Sequence, residues 1–120
     1  MSTSGSEQGR PGARAWRRPG EIPSDTGTGR QIASMRGLVD GSLSGPEFAR
    51  SWLSGRRTAL ARGERTLPPL ARVLDDVFFV LEDEYAIDPL LRGPDDLSDD
   101  ALVSRIRLAL DALNELDGGP

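Results

Sequence analysis

The acidic side chains are the residues through which this chain could do chemistry. The stretch FFVLEDEYAIDP, residues 78–89, places two aromatic residues and an aliphatic pair before three consecutive acids, then adds a tyrosine and a fourth acid. The 120-residue chain contains no histidine and no cysteine, and all fifteen of its basic residues are arginine. A Ser-His-Asp triad, a metal held by histidine or thiolate, and a cysteine nucleophile are therefore excluded.

Four uses of this acidic stretch compete. A carboxylate pair could transfer protons, but no pocket signature accompanies it. A calcium loop would need an alternating Asp-x-Asp-x-Asp-Gly pattern, which the chain lacks. A solvated face is the usual fate of a run of charges, and a docking surface for a basic protein is the fourth use. We expect no catalytic residue, no metal ligand and no cofactor, so the protein is predicted not to be an enzyme.

Charge is distributed unevenly along the chain. Residues 1–30 carry five arginines and three acids, and residues 31–65 carry six arginines and three acids. Residues 66–120 carry four arginines and thirteen acids, a net charge of −9 in a chain whose total is −4. This asymmetry favours electrostatic attraction of a basic partner to the C-terminal half.

Apolar residues recur at helical spacing in four segments, and no segment alternates with the period of a strand. The first covers residues 31–41 and ends at a glycine. The second opens at Ser44-Gly45-Pro46-Glu47, where serine, proline and glutamate form a capping box, and Gly63 ends it.

The third and fourth segments carry regular apolar stripes. The stripe of the third, which starts near the prolines at 68 and 69, consists of Leu70, Val73, Leu74, Val77, Phe78, Leu81 and Tyr85. The fourth opens at Ser98, with two aspartates in its first turn, and Gly118 lies just past its end. Four helices with short connections predict an all-α fold, an antiparallel four-helix bundle.

The first 30 residues are rich in Ser, Gly, Arg, Pro and Thr, and their only bulky apolar residues are Trp16 and Ile22. Such a composition buries too little surface to offset the entropy of ordering. We therefore predict a disordered leader over residues 1–30 and one helical domain over residues 31–117. No apolar run could cross a membrane and the N terminus lacks the apolar core of an export signal, so we expect a cytoplasmic protein.

Arginines accompany an aromatic residue at two places: Arg56 and Arg57 lie near Trp52, and Arg14, Arg17 and Arg18 surround Trp16. Both clusters could contact nucleic acid, and the second could also contact a membrane surface. A solvated arginine pair and a disordered leader are the simpler interpretations, so we expect no membrane partner and no direct binding of nucleic acid.

The predicted third helix ends in acids. Glu82, Asp83 and Glu84 occupy its last turn, where the helix dipole is negative and each acid costs about 0.3 to 1 kcal/mol. A sequence selected only for stability would place a basic residue there. Asp88 and four further aspartates follow before residue 101, so we expect the acids to converge around one end of the bundle.

Three stretches carry a recognisable pattern: MRGLVDGSLSGPEFARSWLSGRR, LARVLDDVFFVLEDEYAIDPLLR and LSDDALVSRIRLALDAL. They contain a Ser/Thr-x-x-Glu-Phe opening of the second helix, an acid-acid-x-Phe motif followed by carboxylates, and a leucine-spaced final helix after an aspartate-rich cap. In this order they resemble the colicin D immunity protein family of bacterial self-protection proteins. The resemblance covers residues 31–116 with a one-residue shift after Phe78, and the arginine-bearing N terminus has no counterpart in it.

The resemblance implies a four-helix antiparallel protein that binds the catalytic domain of a cognate tRNA-cleaving toxin. Acidic side chains would cover the toxin's active site in place of the tRNA phosphates, because a nuclease that grips a polyanion presents a basic cleft. The positions that match toxin-facing acids are Glu82, Asp83, Asp88, Glu84, Asp75 and Asp76.

The resemblance thus implies stoichiometric inhibition by a monomer that forms a 1:1 complex with a basic nuclease domain. Two alternatives stay open at the level of the sequence. One is a helical adaptor or regulatory module that docks an unrelated basic protein through its acidic face. The other is a nucleic-acid-binding regulator that uses its arginine clusters.

Overall fold

The computed structural model describes residues 15–118. Four α-helices form most of this part: α1 Gly27–Asp40, α2 Gly45–Ala61, α3 Leu70–Phe79 and α4 Asp99–Gly118. A mostly helical chain with four helices is what the sequence predicted. Among the described residues, no helix combines the length and the apolar character needed to cross a membrane.

The fold also contains a small parallel sheet. The sequence analysis did not predict this sheet. It pairs β1 Ala15–Trp16 with β2 Arg65–Thr66, and Ala15 lies opposite Arg65. Strands of two residues are too short to show alternation in the sequence, so periodicity could not reveal them.

The predicted signals at the helix ends form as expected. The Ser44 hydroxyl accepts a hydrogen bond from the Glu47 amide at 3.2 Å, and the Glu47 carboxylate accepts one from the Ser44 amide at 2.9 Å. This reciprocal pair is the capping box of α2. Gly41 follows α1 and Gly63 follows α2, and both have positive φ, of 89° and 71°. Glycine reaches this left-handed region without the steric cost that a Cβ atom would add.

The crossing of α1 and α2 is too close for side chains. A Cβ atom on Gly27 would lie 2.4 Å from the carbonyl oxygen of Gly55, and one on Gly55 would lie 2.7 Å from the carbonyl oxygen of Gly27. Only glycine at both positions allows the two backbones to meet in this way.

The buried carboxylate of Glu64 holds the first turn of α1. It accepts hydrogen bonds from the Gly27 amide at 3.0 Å, the Thr28 amide at 2.9 Å and the Thr28 hydroxyl at 2.8 Å. Helix α1 has no acid of its own in its first turn. Glu64 therefore supplies both the missing hydrogen-bond acceptors and a negative charge at the positive end of the helix dipole.

The structure differs from the sequence prediction for the leader. Helix α1 begins at Gly27, and residues 15–26 pack against the helices instead of standing apart. Trp16 is buried and its carbonyl accepts a hydrogen bond from the Leu67 amide at 2.8 Å, while the Gly20 amide donates to Asp117 of α4 at 2.8 Å. A composition averaged over 30 residues hides one tryptophan, which buries a large apolar area by itself. The predicted disorder of residues 1–14 lies outside the described residues.

The predicted apolar stripe of α3 faces the core, as expected. Phe78 is half-buried, and its ring stacks on the buried Trp52 with centroids 6.4 Å apart, while Phe79 is 56% exposed. Val80, outside the predicted stripe, is also buried. Val80 follows Val77 by three residues and so lies on the same face of the helix. From Val80 to Glu84 the helix continues as a π-helical turn, which the Tyr85 amide closes by donating to the Val80 carbonyl at 2.9 Å. The wider turn adds one residue and rotates those that follow.

The docking of residues 15–26 can be tested at its tryptophan. We expect Trp16→Ala to lower the free energy of unfolding by about 3 kcal/mol, because it removes a buried indole from the core. The neighbouring change Arg17→Ala, at an exposed position, should cost less than about 0.5 kcal/mol. Chemical denaturation of both variants gives the values. Equal, small losses together with rapid exchange of the Leu67 amide would show that the segment is not docked.

The orientation of α3 can be tested with its two adjacent phenylalanines. We expect Phe78→Ala to cost about 3 kcal/mol, because it removes the ring that packs against Trp52. Phe79→Ala should cost under about 1 kcal/mol, because that ring is mostly exposed. Thermal and urea unfolding measure the difference, and a reversed order of the two losses would show that α3 is rotated from the position described.

Candidate docking surface

Four of the six predicted contact acids lie on the exposed side of α3 and of the π turn that continues it. They are Asp75, Asp76, Glu82 and Asp83, and all four are exposed. They form two pairs, one about two helical turns before the other, with the exposed ring of Phe79 between them. We call these four acids and Phe79 the acidic face.

The four carboxylates of the acidic face have no internal partner. Within residues 15–118, none of them forms a hydrogen bond or an ion pair. The turn that carries Glu82 and Asp83 also contains no basic residue. These two acids lie at the end of the helix where the dipole is negative, so their charge is unfavourable to the fold itself.

The other two predicted contact acids are engaged within the molecule. Glu84 forms an ion pair with Arg105 of α4, with a carboxylate-to-guanidinium distance of 2.9 Å. Asp88 accepts a hydrogen bond from the Leu90 amide at 2.9 Å and so caps the short 3₁₀ turn Pro89–Leu91. Both side chains thus stabilise the connection between α3 and α4, in contrast to the acidic face.

Two of the four aspartates that follow have structural roles as well. Asp96 accepts a hydrogen bond from the Gly93 amide at 2.8 Å. Asp99 accepts one from the Tyr85 hydroxyl at 2.7 Å and pairs with Arg92 at 3.2 Å. The sequence predicted that these acids converge with those of α3 into one cluster, but these two shape residues 86–98 and fasten them to the helices.

Tyr85, Arg92 and Asp99 form a clasp at the end of the acidic face. The Arg92 guanidinium lies 4.9 Å from the centre of the Tyr85 ring, and it also donates to the Ala86 carbonyl at 3.2 Å. A Cβ atom on Gly45 would lie 2.4 Å from the Tyr85 hydroxyl oxygen, so the clasp also packs against the start of α2. The clasp fixes the last turn of α3 against two other helices.

The clasp raises the pKa of the Tyr85 hydroxyl. Burial raises the pKa of the Tyr85 hydroxyl, and the hydrogen bond to the Asp99 carboxylate raises it further, to about 12. Both causes disfavour the phenolate, the first because it removes water and the second because two negative charges would then adjoin.

The tryptophans that a nucleic-acid-binding surface would use are buried. Trp52 is 1% exposed and Trp16 is 9% exposed, so neither indole can stack on a base. The guanidinium of Arg56 lies 3.8 Å above the Phe78 ring and therefore covers the core. Arg56 thus contacts the core aromatic Phe78, which its spacing from Trp52 in the sequence could not show.

Comparisons with known proteins give no match to a family model, a curated protein or a solved structure. The candidate site is therefore defined by its own side chains. In the described range, no group of three Asp or Glu residues is arranged to hold a metal ion.

Two residues of the site region escaped the sequence analysis. Phe79 was left off the core stripe but was not connected with the contact acids, although its position between two acid pairs at helical spacing was a usable signal. Glu64 had no signal, because its partners at residues 27 and 28 are distant in the chain.

The clasp predicts a distinctive pH dependence. Tyr85 is the only tyrosine, so tyrosinate ultraviolet absorbance reports it directly. Because its pKa in the folded protein, about 12, exceeds the ordinary value of 10.0, the associated stability is complete below pH 10 and is lost as the pH rises through 12. Tyr85→Phe should abolish this loss. Ionisation near pH 10 in the folded protein would contradict the clasp.

Proposed function

We propose that this protein is an immunity-type inhibitor that binds the catalytic domain of a tRNA-cleaving bacterial toxin and blocks it stoichiometrically, without turnover. The observation that carries the proposal is the acidic face of α3. Its four carboxylates are exposed, have no partner within the described residues, and include two at the negative end of a helix. A surface that costs the fold free energy is expected where a partner of opposite charge covers it.

The chemistry of the target explains why carboxylates suit this task. An enzyme that grips RNA presents arginines and lysines to the phosphates, and its cleft therefore attracts any compact array of negative charge. The two acid pairs are separated by seven residues, about 10 Å along the helix axis. They would enter such a cleft in the place of the phosphates, and Phe79 between them would add an apolar contact.

The resemblance to the colicin D immunity family belongs to this proposal, together with the antiparallel arrangement of the four helices. One structural detail supports it. The alignment requires a one-residue shift after Phe78, and the π turn at Val80–Glu84 accommodates an additional residue at that point.

Within the proposal the six predicted contact acids divide into two groups. Asp75, Asp76, Glu82 and Asp83 contact the toxin directly. Glu84 and Asp88 position the connection beside them, because their carboxylates already accept internal hydrogen bonds. The protein acts as a monomer in a 1:1 complex, in the cytoplasm where the toxin's substrate is found.

Two double variants, which remove the same charge at different places, test this function. We expect Glu82→Gln/Asp83→Asn to weaken binding of the nuclease domain encoded beside the gene by about 100-fold, because close charge pairs across an interface contribute several kcal/mol. Stability should be unchanged or higher by a few tenths of a kcal/mol, since repulsion at the helix end is relieved. Asp25→Asn/Asp40→Asn removes the same charge at exposed positions away from α3 and α4 and should weaken binding only slightly. Calorimetric titration at low and high salt measures both pairs.

Two outcomes would contradict the proposal at different levels. Equal affinities for the two double variants would reject the acidic face as the contact surface. If the wild-type protein neither binds nor neutralises a nuclease encoded beside it, but binds another basic protein through this face, the helical adaptor replaces the inhibitor.

A further inference from the structure

An open apolar groove of about 430 Å³ runs between α3 and α4. Its lining includes Val77, Val80, Ile106, Ala109 and Ala112. Two large side chains, Phe79 of α3 and Leu108 of α4, also line it and are 56% and 67% exposed. The fold thus leaves two large apolar side chains exposed on neighbouring helices.

Among the charged residues that line this groove, the one without a partner is negative. Asp76 lines the groove and is exposed, and its carboxylate has no partner within residues 15–118. Arg105 also lines it, but its guanidinium is 2.9 Å from the Glu84 carboxylate and is neutralised there. The remaining acids of the acidic face lie on the same helix as Asp76. A segment that fills the groove therefore meets an apolar floor with uncompensated carboxylates beside it.

Two occupants from this protein itself fit poorly. Residues 1–14 contain arginines, but Met1 is their only large apolar side chain, so they could not fill an apolar groove. A second copy docked by the same face would bring two acidic faces together, and like charges at close range oppose such a dimer. The charge of the groove selects against self-association.

We infer that the groove between α3 and α4 binds an amphipathic helix of the partner protein, with apolar residues on one side and arginines or lysines flanking them. The inference rests on the proposed function in so far as the partner is basic. The apolar side of the helix covers Phe79 and Leu108, and its basic flanks meet Asp76 and the other carboxylates of α3. Helix-in-groove recognition of this kind uses apolar anchors at i, i+3, i+4 and i+7.

A designed peptide tests the groove without the toxin. The probe is a leucine–lysine peptide of about 18 residues, longer than α3, with leucines at i, i+3, i+4 and i+7. One control has the same composition in scrambled order, and a second has glutamate in place of lysine. Fluorescence anisotropy with the full-length protein gives the affinities, and amide chemical shifts locate the site. We expect the basic amphipathic peptide to bind at least about tenfold more tightly than either control.

Matched variants assign the binding to the groove. Phe79→Ser/Leu108→Ser removes both exposed anchors and should lower the affinity for the peptide by at least about tenfold. The helicity of the protein should be unchanged, because neither side chain is in the core. Leu60→Ser changes a leucine of α2 that is 62% exposed and does not line the groove, and it should leave the affinity unchanged.

The possible failures are distinguishable. Equal binding of the ordered and scrambled basic peptides would show that the groove does not bind an amphipathic helix. The acidic face would then act as a purely electrostatic surface. Tight binding of the glutamate peptide would overturn the choice of a basic partner. Peptide binding that persists in Phe79→Ser/Leu108→Ser would place the site elsewhere. If the peptide binds in the groove but no neighbouring nuclease does, the groove stands and the toxin assignment fails.

Discussion

The close crossing of α1 and α2 is the constraint on which the rest of the structure depends. It requires glycine at positions 27 and 55, because each backbone occupies the space that the other's Cβ atom would need. The buried Glu64 carboxylate then holds the first turn of α1 at this crossing through three hydrogen bonds. Breaking a buried charge from its hydrogen-bond partners costs several kcal/mol. The crossing is thereby fixed from both sides, and the other elements pack around it.

The exposed chemistry of α3 follows from this packing. The α1–α2 pair buries Trp52, Phe78 stacks on Trp52, and Arg56 covers Phe78. Since Phe78 must face inward, Phe79 and the acid pairs on either side of it must face solvent. The Tyr85 clasp and the Glu84–Arg105 ion pair then fix the end of α3 while leaving those acids unpaired. The fold thus holds an unfavourable group of charges on a rigid helix, which lowers the entropic cost of binding a partner there.

The features that could be predicted from the sequence are those that depend on short sequence patterns. The capping box at Ser44 and Glu47 and the apolar stripe of α3 depend on neighbours within a few residues, so the sequence shows them directly. The docking of Trp16, the role of Glu64 and the division of the acids into paired and unpaired groups depend on contacts between distant residues, which spacing cannot reveal. Charge counting found the acidic region, yet only the structure separates Glu84 and Asp88 from the four unpaired acids. The π turn after Phe79 was likewise hidden, because no residue type marks it.

The most direct test is a hydrogen-exchange footprint of the full-length protein with and without the nuclease domain that we propose as its partner. A partner seated on the acidic face and in the groove should slow amide exchange in residues 76–84 and 105–112, the parts of α3 and α4 that carry the exposed anchors. Amides of α1 and of the β1–β2 pair should be unaffected. Protection confined to α2 or to residues 15–26, with none in α3, would contradict the claim that the acidic face is the surface through which this protein acts.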